Sequence, residues 1–547
     1  VRAEPEQNQF VFDYQAAYIH RQTIISFSQK AELQDRTATF EVTVPPKGDW
    51  QTCIWITPMW DLVPARPKYG CDAFGKATPE STGSLPEWQA QLPVLHSDDE
   101  TLTKTFAQSV IDLAALRFYP ERRDHPVLAA GLPWYMALFG RDNLITAYQC
   151  CYAVPSLAAC ALRALARLQG TKVDDFRDEE PGKIPHEQRF GELTLLGESP
   201  HSPYYGTVDA TPLFLILLHE VYRWTLDRGL ITELQEPALR ALAWIDRYGD
   251  ADGDGYVEYV KRSPKGLDNH CWKDSPTSIV FQDGTLATPP IAVAEVQGYV
   301  YDAKLRLAEL AEQVWQELEL ARRLRQEAAA LRARFNRDFW IPRQGGYFAL
   351  ALDRDKRQVD SMTSNMGHLL WSGIVDADKA PRVVRQLTGE HLDSGWGIRT
   401  LSTLDKGFNP IAYHAGTVWP HDNSLIAAGL ARYGYRDEAN RIIQGMLDVA
   451  RYFDYRLPEV FAGFQRSQIS FPVEYPTASS PQAWATGAAM LFVRILLGLE
   501  PETGRGGVTL DPALPAGLGY VRLENMPVFG RRFHVDSRDG RQGGLAA

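Results

Sequence analysis

Two acidic residues stand in separate polar, aromatic-rich segments of this sequence. Asp274 lies in His270-Cys271-Trp272-Lys273-Asp274-Ser275, and Glu459 in Arg456-Leu457-Pro458-Glu459-Val460-Phe461. Two carboxyl groups facing each other across a sugar ring can cleave a glycosidic bond. One protonates the leaving oxygen; the other activates water or attacks the anomeric carbon. Trp272 beside Asp274 is the kind of neighbour that raises a carboxyl's pKa by desolvation, while Lys273 opposes that by favouring the anion. Pro458 keeps Leu457 extended and helps to aim Glu459. Each segment taken alone reads as a solvated loop acid, and Glu474 is a rival carboxylate. The pair gains meaning only if a scaffold brings the two together.

Other segments hold groups that bind hydroxyls. Gly140-Arg141-Asp142 opens a helical stretch, where Arg141 offers a fork of donors and Asp142 an acceptor to vicinal hydroxyls. The plainer reading is an Asp142 helix cap paired with Arg141. Asp209, before Ala210-Thr211-Pro212, reads first as an N-cap whose free oxygen can still meet a substrate. Ser394-Gly395-Trp396-Gly397 and Tyr413-His414-Ala415-Gly416-Thr417-Val418-Trp419-Pro420-His421-Asp422 form the densest aromatic and polar cluster. Glycine admits close approach of a ligand there, and the Trp faces suit a sugar's C–H face. His414, His421 and Asp422 suggest hydrogen bonding more than a metal. Asn365, Met366 and His368 precede another helix and are candidates for the same mouth.

One acidic run stands apart. Asp250, Asp252, Asp254 and Glu258 match the opening of a calcium loop, but the twelfth position is Lys261 rather than Glu. A structural calcium site and a plain polar turn are both open. The acid–base chemistry itself requires no cofactor.

Such residues need a rigid frame. From about 98 to 500 the apolar residues recur at helical period. Helices are expected over 99–118, 139–153, 155–169, 209–228, 230–248, 291–316, 318–337, 364–374, 377–388, 418–434, 436–452 and 480–497. Leu213 to Leu218 is apolar nearly all round, as an inner helix would be. Twelve helices of alternating character suit two concentric rings of six; two stacked bundles are the alternative. The loops 119–138, 170–208, 249–290, 338–363 and 389–417 are long and hold most of the His, Trp and Gly clusters, the layout of a site built from loops at one end of a frame. Residues 1–95 are β-rich, with strands expected over 23–28, 38–44 and 52–57 as part of an antiparallel sandwich. Residues 76–86 read as a linker. The tail, 501–547, carries two strand-like pieces that are candidates to pair with the N-terminal β region, and residues 540–547 are expected to fray. The expected domains are therefore 1–95, 96–500 and 501–547.

Composition narrows the partners. The 547 residues carry a net charge of −11, which argues against nucleic acid or an anionic membrane. A neutral carbohydrate is compatible with that balance. No apolar run is long enough to span a bilayer. Six cysteines without a CxxC pair predict reduced, buried thiols and a cytoplasmic location. Oligomeric state is not legible.

Taken in order, Phe139-Gly140-Arg141-Asp142, Tyr205 to Pro212, Trp272-Lys273-Asp274-Ser275, Gly395 to Thr400, His414 to His421 and Leu457-Pro458-Glu459 resemble the bacterial amylo-alpha-1,6-glucosidases, relatives of the glucosidase part of glycogen debranching enzymes. The resemblance covers nearly the whole chain. It implies an (α/α)6 barrel with an N-terminal β-sandwich-like domain, and hydrolysis of an α-glucan or α-glucoside with inversion. It further implies Asp274 as acid, Glu459 as base and Arg141 with Asp142 on the terminal glucose. Asp209, Trp419 and His421 would hold the ring, with Trp272 and Trp396 walling the pocket and His414 beside them. Nothing here corresponds to the glucanotransferase barrel of the eukaryotic debranching enzymes. Hydrolases or phosphorylases of trehalose, sucrose or another small glucoside, and an inactive carbohydrate-binding relative, are the rival readings.

Overall fold

Each expected helical segment contains a helix in the computed structural model, which describes residues 1–61, 63–65, 70–73, 85–119, 125–504 and 506–539. Contacts divide the chain into two units, Val1–Ser84 and Leu85–Ala547. Among the described residues of the second unit, twelve helices fill the expected segments, α1 Glu100–Leu116, α2 Gly140–Gln149, α3 Pro155–Arg167, α4 Ala210–Thr225, α5 Gln235–Arg247 and α6 Ala294–Leu310, followed by α7 Leu318–Asp338, α8 Asn365–Ser372, α9 Ala380–Leu387, α10 Pro420–Arg432, α11 Arg436–Ala450 and α12 Ala483–Leu497; three shorter ones, Leu85–Gln91, Glu192–Leu195 and Arg228–Glu233, were not expected as separate helices.

Burial separates them into two kinds. Helix α7 buries only Ala321, Leu324, Ala328, Leu331, Phe335 and Asn336, one stripe at helical spacing, and turns Arg and Glu outward. Helix α4 buries nearly every residue, because its neighbours surround it. The even-numbered helices are of the buried kind, and they close a cycle. Helix α2 packs on α4, α4 on α6, α6 on α8, α8 on α10, α10 on α12, and α12 returns to α2. The odd-numbered helices pack outside: α3 on α2 and α4, α5 on α4, α7 on α6, α9 on α8, α11 on α10, and α1 on α12. Small residues permit the tightest crossing. A Cβ on Gly429 of α10 would lie 2.6 Å from the Trp371 backbone nitrogen of α8.

The six inner helices point the same way. Arg141 in α2 bonds Asp209 at the start of α4. Asn365 in α8 donates to Glu295 in α6. His368 in α8 pairs with Asp422 in α10, and Gln482 before α12 donates to Asp142 in α2. Their N-terminal turns therefore gather at one mouth of the ring.

The tail belongs to this same unit. Val521–Val528 pairs with Arg531–Asp536 on one side and with Val94–Ser97 on the other, so residues 94–97 sit with the helices rather than with the first unit. In the first unit Arg2–Glu4, Gln9–Ala16, Ile19–Phe27, Ile54–Trp60 and Val63–Pro64 form an antiparallel sheet in chain order. The strand expected over 38–44 is only Thr37–Thr39, paired with Glu32–Gln34; the run toward Pro45 and Pro46 finds no partner strand among the described residues. Most of the expected linker, 76–86, and the end, 540–547, lie outside the described residues.

The cysteine expectation needs correction. Cys53 and Cys71, with Cα atoms 6.0 Å apart, form a disulfide, a spacing the bridge accommodates. The other four, all buried, take no part in a disulfide. Among the described residues no helix is long and apolar enough to cross a membrane.

Candidate active site

The N-terminal mouth of the ring contains a cavity of about 280 Å³ whose lining includes both Asp274 and Glu459. Asp274 comes from the loop between α5 and α6, Glu459 from the loop after α11. Arg141, in the first turn of α2, ties the acid to the frame. Its Nη2 donates to Asp274 Oδ2 at 3.1 Å, and its Nη1 donates to Asp209 Oδ2 at 2.9 Å. Asp209 accepts also from the Thr207 hydroxyl. Its carboxylate thus turns away from its own helix, where it makes no cap bond, and is spent on Arg141.

The two carboxyls are held differently. Burial pushes Asp274 up to about 6 against the pull of the Arg141 guanidinium. Burial also raises Glu459, but its anion is well supplied with donors. The Ser479 N–H donates to Oε2 at 2.7 Å and the Tyr413 hydroxyl to Oε1 at 2.5 Å. Asp142, in the same cavity, is pushed up to about 7 by burial, with Arg141 opposing and with Glu459 and Asp274 adding repulsion. One group suited to keep a proton thus shares a cavity with one suited to accept it, a difference of the kind acid–base catalysis uses.

Rings form the walls. Trp272 meets Trp419 edge-on at 5.9 Å, and His414 stacks on Trp419 at 5.1 Å. His414 Nδ1 lies 2.7 Å from the Ser275 hydroxyl, and burial holds this imidazole well below its usual pKa, so it is neutral. Trp484, at the start of α12, closes another side.

Of the residues expected from sequence, Arg141, Asp142, Trp272, Asp274, His414, Trp419 and Glu459 line the cavity. Three do not. Asp209 is fully buried behind Arg141. His421 is fully buried and stacks on Trp484 at 3.7 Å, one layer behind the wall. Trp396 lies elsewhere, packed edge-on against Tyr452 under the Arg466 guanidinium, so it walls no part of the pit. Conversely, Tyr135, His186, Glu187, Arg189 and His201 line the cavity unexpectedly. The length of the 170–208 loop was the signal that pointed to four of them.

The acidic run gathers as its spacing suggests. Asp250, Asp252 and Asp254 each bring an oxygen to one place. The Lys356 ammonium already sits on it, 2.7 Å from Asp252, 2.6 Å from Asp254 and 3.0 Å from Glu258. Asp250 accepts instead from the Gly253 and Gly255 N–H groups.

A ring of buried helices with a two-carboxyl, aromatic-walled pit at its N-terminal mouth defines the class: a helical glycoside-hydrolase domain. The chain belongs to the mannosylglycerate hydrolase MGH1-like glycoside hydrolase domain family, whose profile matches residues 176–462. It is 28% identical over 153 residues to the mannosylglycerate hydrolase of Rubrobacter radiotolerans, covering 25% of this chain and 34% of that one. It is 32% identical over 93 residues to mannosylglycerate hydrolase MGH1 of Selaginella moellendorffii, covering 16% and 19%. The matched stretches thus span about a third or less of these relatives. A sialidase structure shares the fold at a TM-score of 0.60 with 11% identity, over 85% of this chain and 41% of that one. So does a mannosylglycerate hydrolase of Thermus thermophilus solved with Tris, at 0.53 with 15% identity, over 71% and 100%. The family found is therefore not the debranching family that the motifs resemble.

Proposed function

We propose that the protein is an inverting glycoside hydrolase acting on a small α-glycoside with an acidic aglycone, of the mannosylglycerate kind. The observation that carries this reading is the shared cavity, in which a proton-holding Asp274 and a donor-supplied Glu459 both take part. Asp274 protonates the glycosidic oxygen, and Glu459 removes a proton from water attacking the opposite face, a geometry that in inverting enzymes sets the two carboxyls about 6.5–9.5 Å apart. Arg141 and Asp142 bind vicinal hydroxyls while Trp272, Trp419 and Trp484 take the ring's apolar face. Arg189 offers a guanidinium at the rim to an aglycone carboxylate. Asp209 acts through Arg141 rather than on the sugar. The closed cycle of even-numbered helices, each with an outer partner, supports reading the frame as an (α/α)6 barrel.

Cavity size favours a small substrate. About 280 Å³ lies at the lower edge of the roughly 300–1,000 Å³ usual for ligand pockets, which suits a compact glycoside better than an extended glucan. The ordered motifs in Phe139–Asp142 and Leu457–Glu459 favour a second reading, an α-glucosidase acting at a non-reducing end. The reaction requires no cofactor, and Lys356 supplies the countercharge that a calcium ion would bring to Asp252, Asp254 and Glu258.

One panel separates these readings: mannosylglycerate, glucosylglycerate, isomaltose, maltose, trehalose, sucrose and glycogen limit dextrin, with sugar release followed with and without phosphate. Release from mannosylglycerate above the others supports the first reading; release from isomaltose or limit dextrin supports the second. Dependence on phosphate would make the enzyme a phosphorylase, and no release from any substrate would overturn both.

A further inference from the structure

The C-terminal turns of the six inner helices enclose a second hollow at the other mouth of the ring. It measures about 480 Å³ and shares no residue with the catalytic pit. Each inner helix contributes: Tyr148 from α2, Arg223 from α4, Arg306 from α6, Trp371 from α8, Arg432 from α10 and Arg494 from α12. Arg436, Glu500 and Asp511 complete its charged lining.

Cations at helix C-termini are expected, because the aligned peptide dipoles leave partial negative charge there. Solvated side chains lying over the last carbonyls would satisfy that demand. The dipoles do not account for a solvent-open hollow kept between five guanidinium groups, nor for the way those groups are paired. Glu220, fully buried, receives Arg306 Nη1 at 2.9 Å, and Asp302 receives Arg306 Nε at 2.7 Å. Glu500 accepts from Arg223 at 2.8 Å and from Arg494 at 2.9 Å; Asp511 accepts from Arg436 at 2.5 Å. Arg494 is itself buried, and its Nη1 lies 2.9 Å from Glu220 without completing a hydrogen bond. Arg432 donates to the Trp371 carbonyl at 2.7 Å and, among the described residues, pairs with no carboxylate.

Two of these carboxylates act as stand-ins. Glu500 and Asp511 are about half exposed, at 48% and 57%, and sit on the guanidinium forks as an arriving oxyanion would. Exposed ion pairs contribute only about 0–1 kcal/mol, so a multivalent anion can displace them. The deeper guanidiniums are already held, Arg306 by Glu220 and Asp302 and Arg494 by the Leu499 carbonyl and Glu500, and do not need to be ordered on binding. Leu491, Ile495 and the Tyr148 and Trp371 rings supply apolar wall for an organic portion.

We propose that this hollow binds a small organic oxyanion with two or more negative charges, a phosphate ester or a polycarboxylate. Its charged end would sit between the rim guanidiniums of Arg432 and Arg436 and the fixed guanidinium of Arg494. Neither rim residue belongs to the catalytic pit.

Isothermal titration of the full chain with pyrophosphate and with citrate, each against sodium chloride of equal ionic strength, tests the site. Saturable one-to-one binding of either anion is expected, and the tighter of the two identifies a phosphate or a carboxylate ligand. The double variant Arg432→Ala/Arg436→Ala should weaken that binding at least tenfold while glycoside hydrolysis stays at the parent rate. Arg432→Gln, which keeps a donor for the Trp371 carbonyl, should weaken it as well, separating lost charge from lost folding. No binding of either anion at millimolar concentration, a chloride effect of equal size, or undiminished binding by a folded Arg432→Gln would overturn the proposal.

Discussion

At one mouth of the ring carboxyl groups outnumber guanidiniums; at the other the balance is reversed. The first mouth sets Asp142, Asp209, Asp274 and Glu459 around Arg141. The second sets Arg223, Arg306 and Arg494 around Glu220. The same six helices frame both, with their positive dipole ends at the first mouth and their negative ends at the second. Positive helix ends gathered at one mouth should lower the pKa of acids beside them. Asp142 is nevertheless pushed up to about 7 and Asp274 to about 6. A dipole is worth about 0.3–1 kcal/mol, whereas each pKa unit is about 1.4 kcal/mol, so burial and crowding of like charge win there. At the far mouth burial also disfavours the Glu220 anion, but Arg494, Arg223 and Arg306 hold it well below the usual carboxylate range. One mouth is built to keep protons and the other to keep ions.

The largest effects that can break this contrast are at the pit. Asp274→Asn and Glu459→Gln should each lower kcat by about 10²–10⁴-fold or more, with the thermal midpoint close to that of the parent. Steady-state kinetics alongside calorimetry checks this, and a variant that keeps its activity removes that residue from the mechanism.

Next come the two buried arginines. Arg141→Met leaves Asp209 buried with only Thr207 as a partner and should cost about 3–5 kcal/mol in denaturant unfolding. Arg494→Met leaves Glu220 still facing Arg306 and Arg223, so its cost should be smaller, about 1–3 kcal/mol. Equal losses would show that the surplus of guanidiniums at the far mouth gives no redundancy.

The pH profile sharpens the comparison further. Asp274 must hold its proton, so kcat/KM should fall as pH rises through about 6. Glu459 must be ionised, so the rate should also fall at low pH, at a value above that of an ordinary glutamate. Tyr413 donates to the Glu459 anion and thereby favours it. Tyr413→Phe should therefore shift the acidic limb to higher pH and lower the rate at pH 5, while the alkaline limb stays in place. A shift of the alkaline limb instead would reverse the two roles.

The smallest effect concerns the acidic run. Because the Lys356 ammonium already sits on Asp252, Asp254 and Glu258, chelation by EDTA should leave the melting temperature unchanged. Lys356→Ala should lower it by leaving the carboxylates to repel one another. A fall on EDTA treatment of the parent would show that a bound metal outcompetes the lysine.

The helices were legible because their apolar period is local. Leu213 to Leu218 shows its burial on all sides in six consecutive residues, and α7 shows its single stripe equally plainly. Two concentric rings of six were expected from the alternation of helix character, but the contacts across the mouth, such as Arg141 with Asp209 and Asp274, were not legible, because they join residues far apart in the chain. Asp209 shows the limit of local reasoning. A cap is the natural reading of Asp before Ala210-Thr211-Pro212, but a buried guanidinium claims the carboxylate first. Trp396 failed for a related reason: a Trp between glycines looks ready to stack on a ligand, and here Arg466 takes its face. His186, Glu187 and His201 carried no recognisable spacing, and only the length of their loop marked them. The arginines of the far mouth each occupy an unremarkable position near a helix end. Their meeting is visible only once the six ends converge.

Inversion requires Asp274 and Glu459 to act from opposite faces of one sugar, with a water between sugar and base. Proton NMR of the first turnovers, with whichever α-glycoside of the panel is cleaved, tests this directly. The β-anomer of the released sugar should appear first and then mutarotate. Initial appearance of the α-anomer would contradict it.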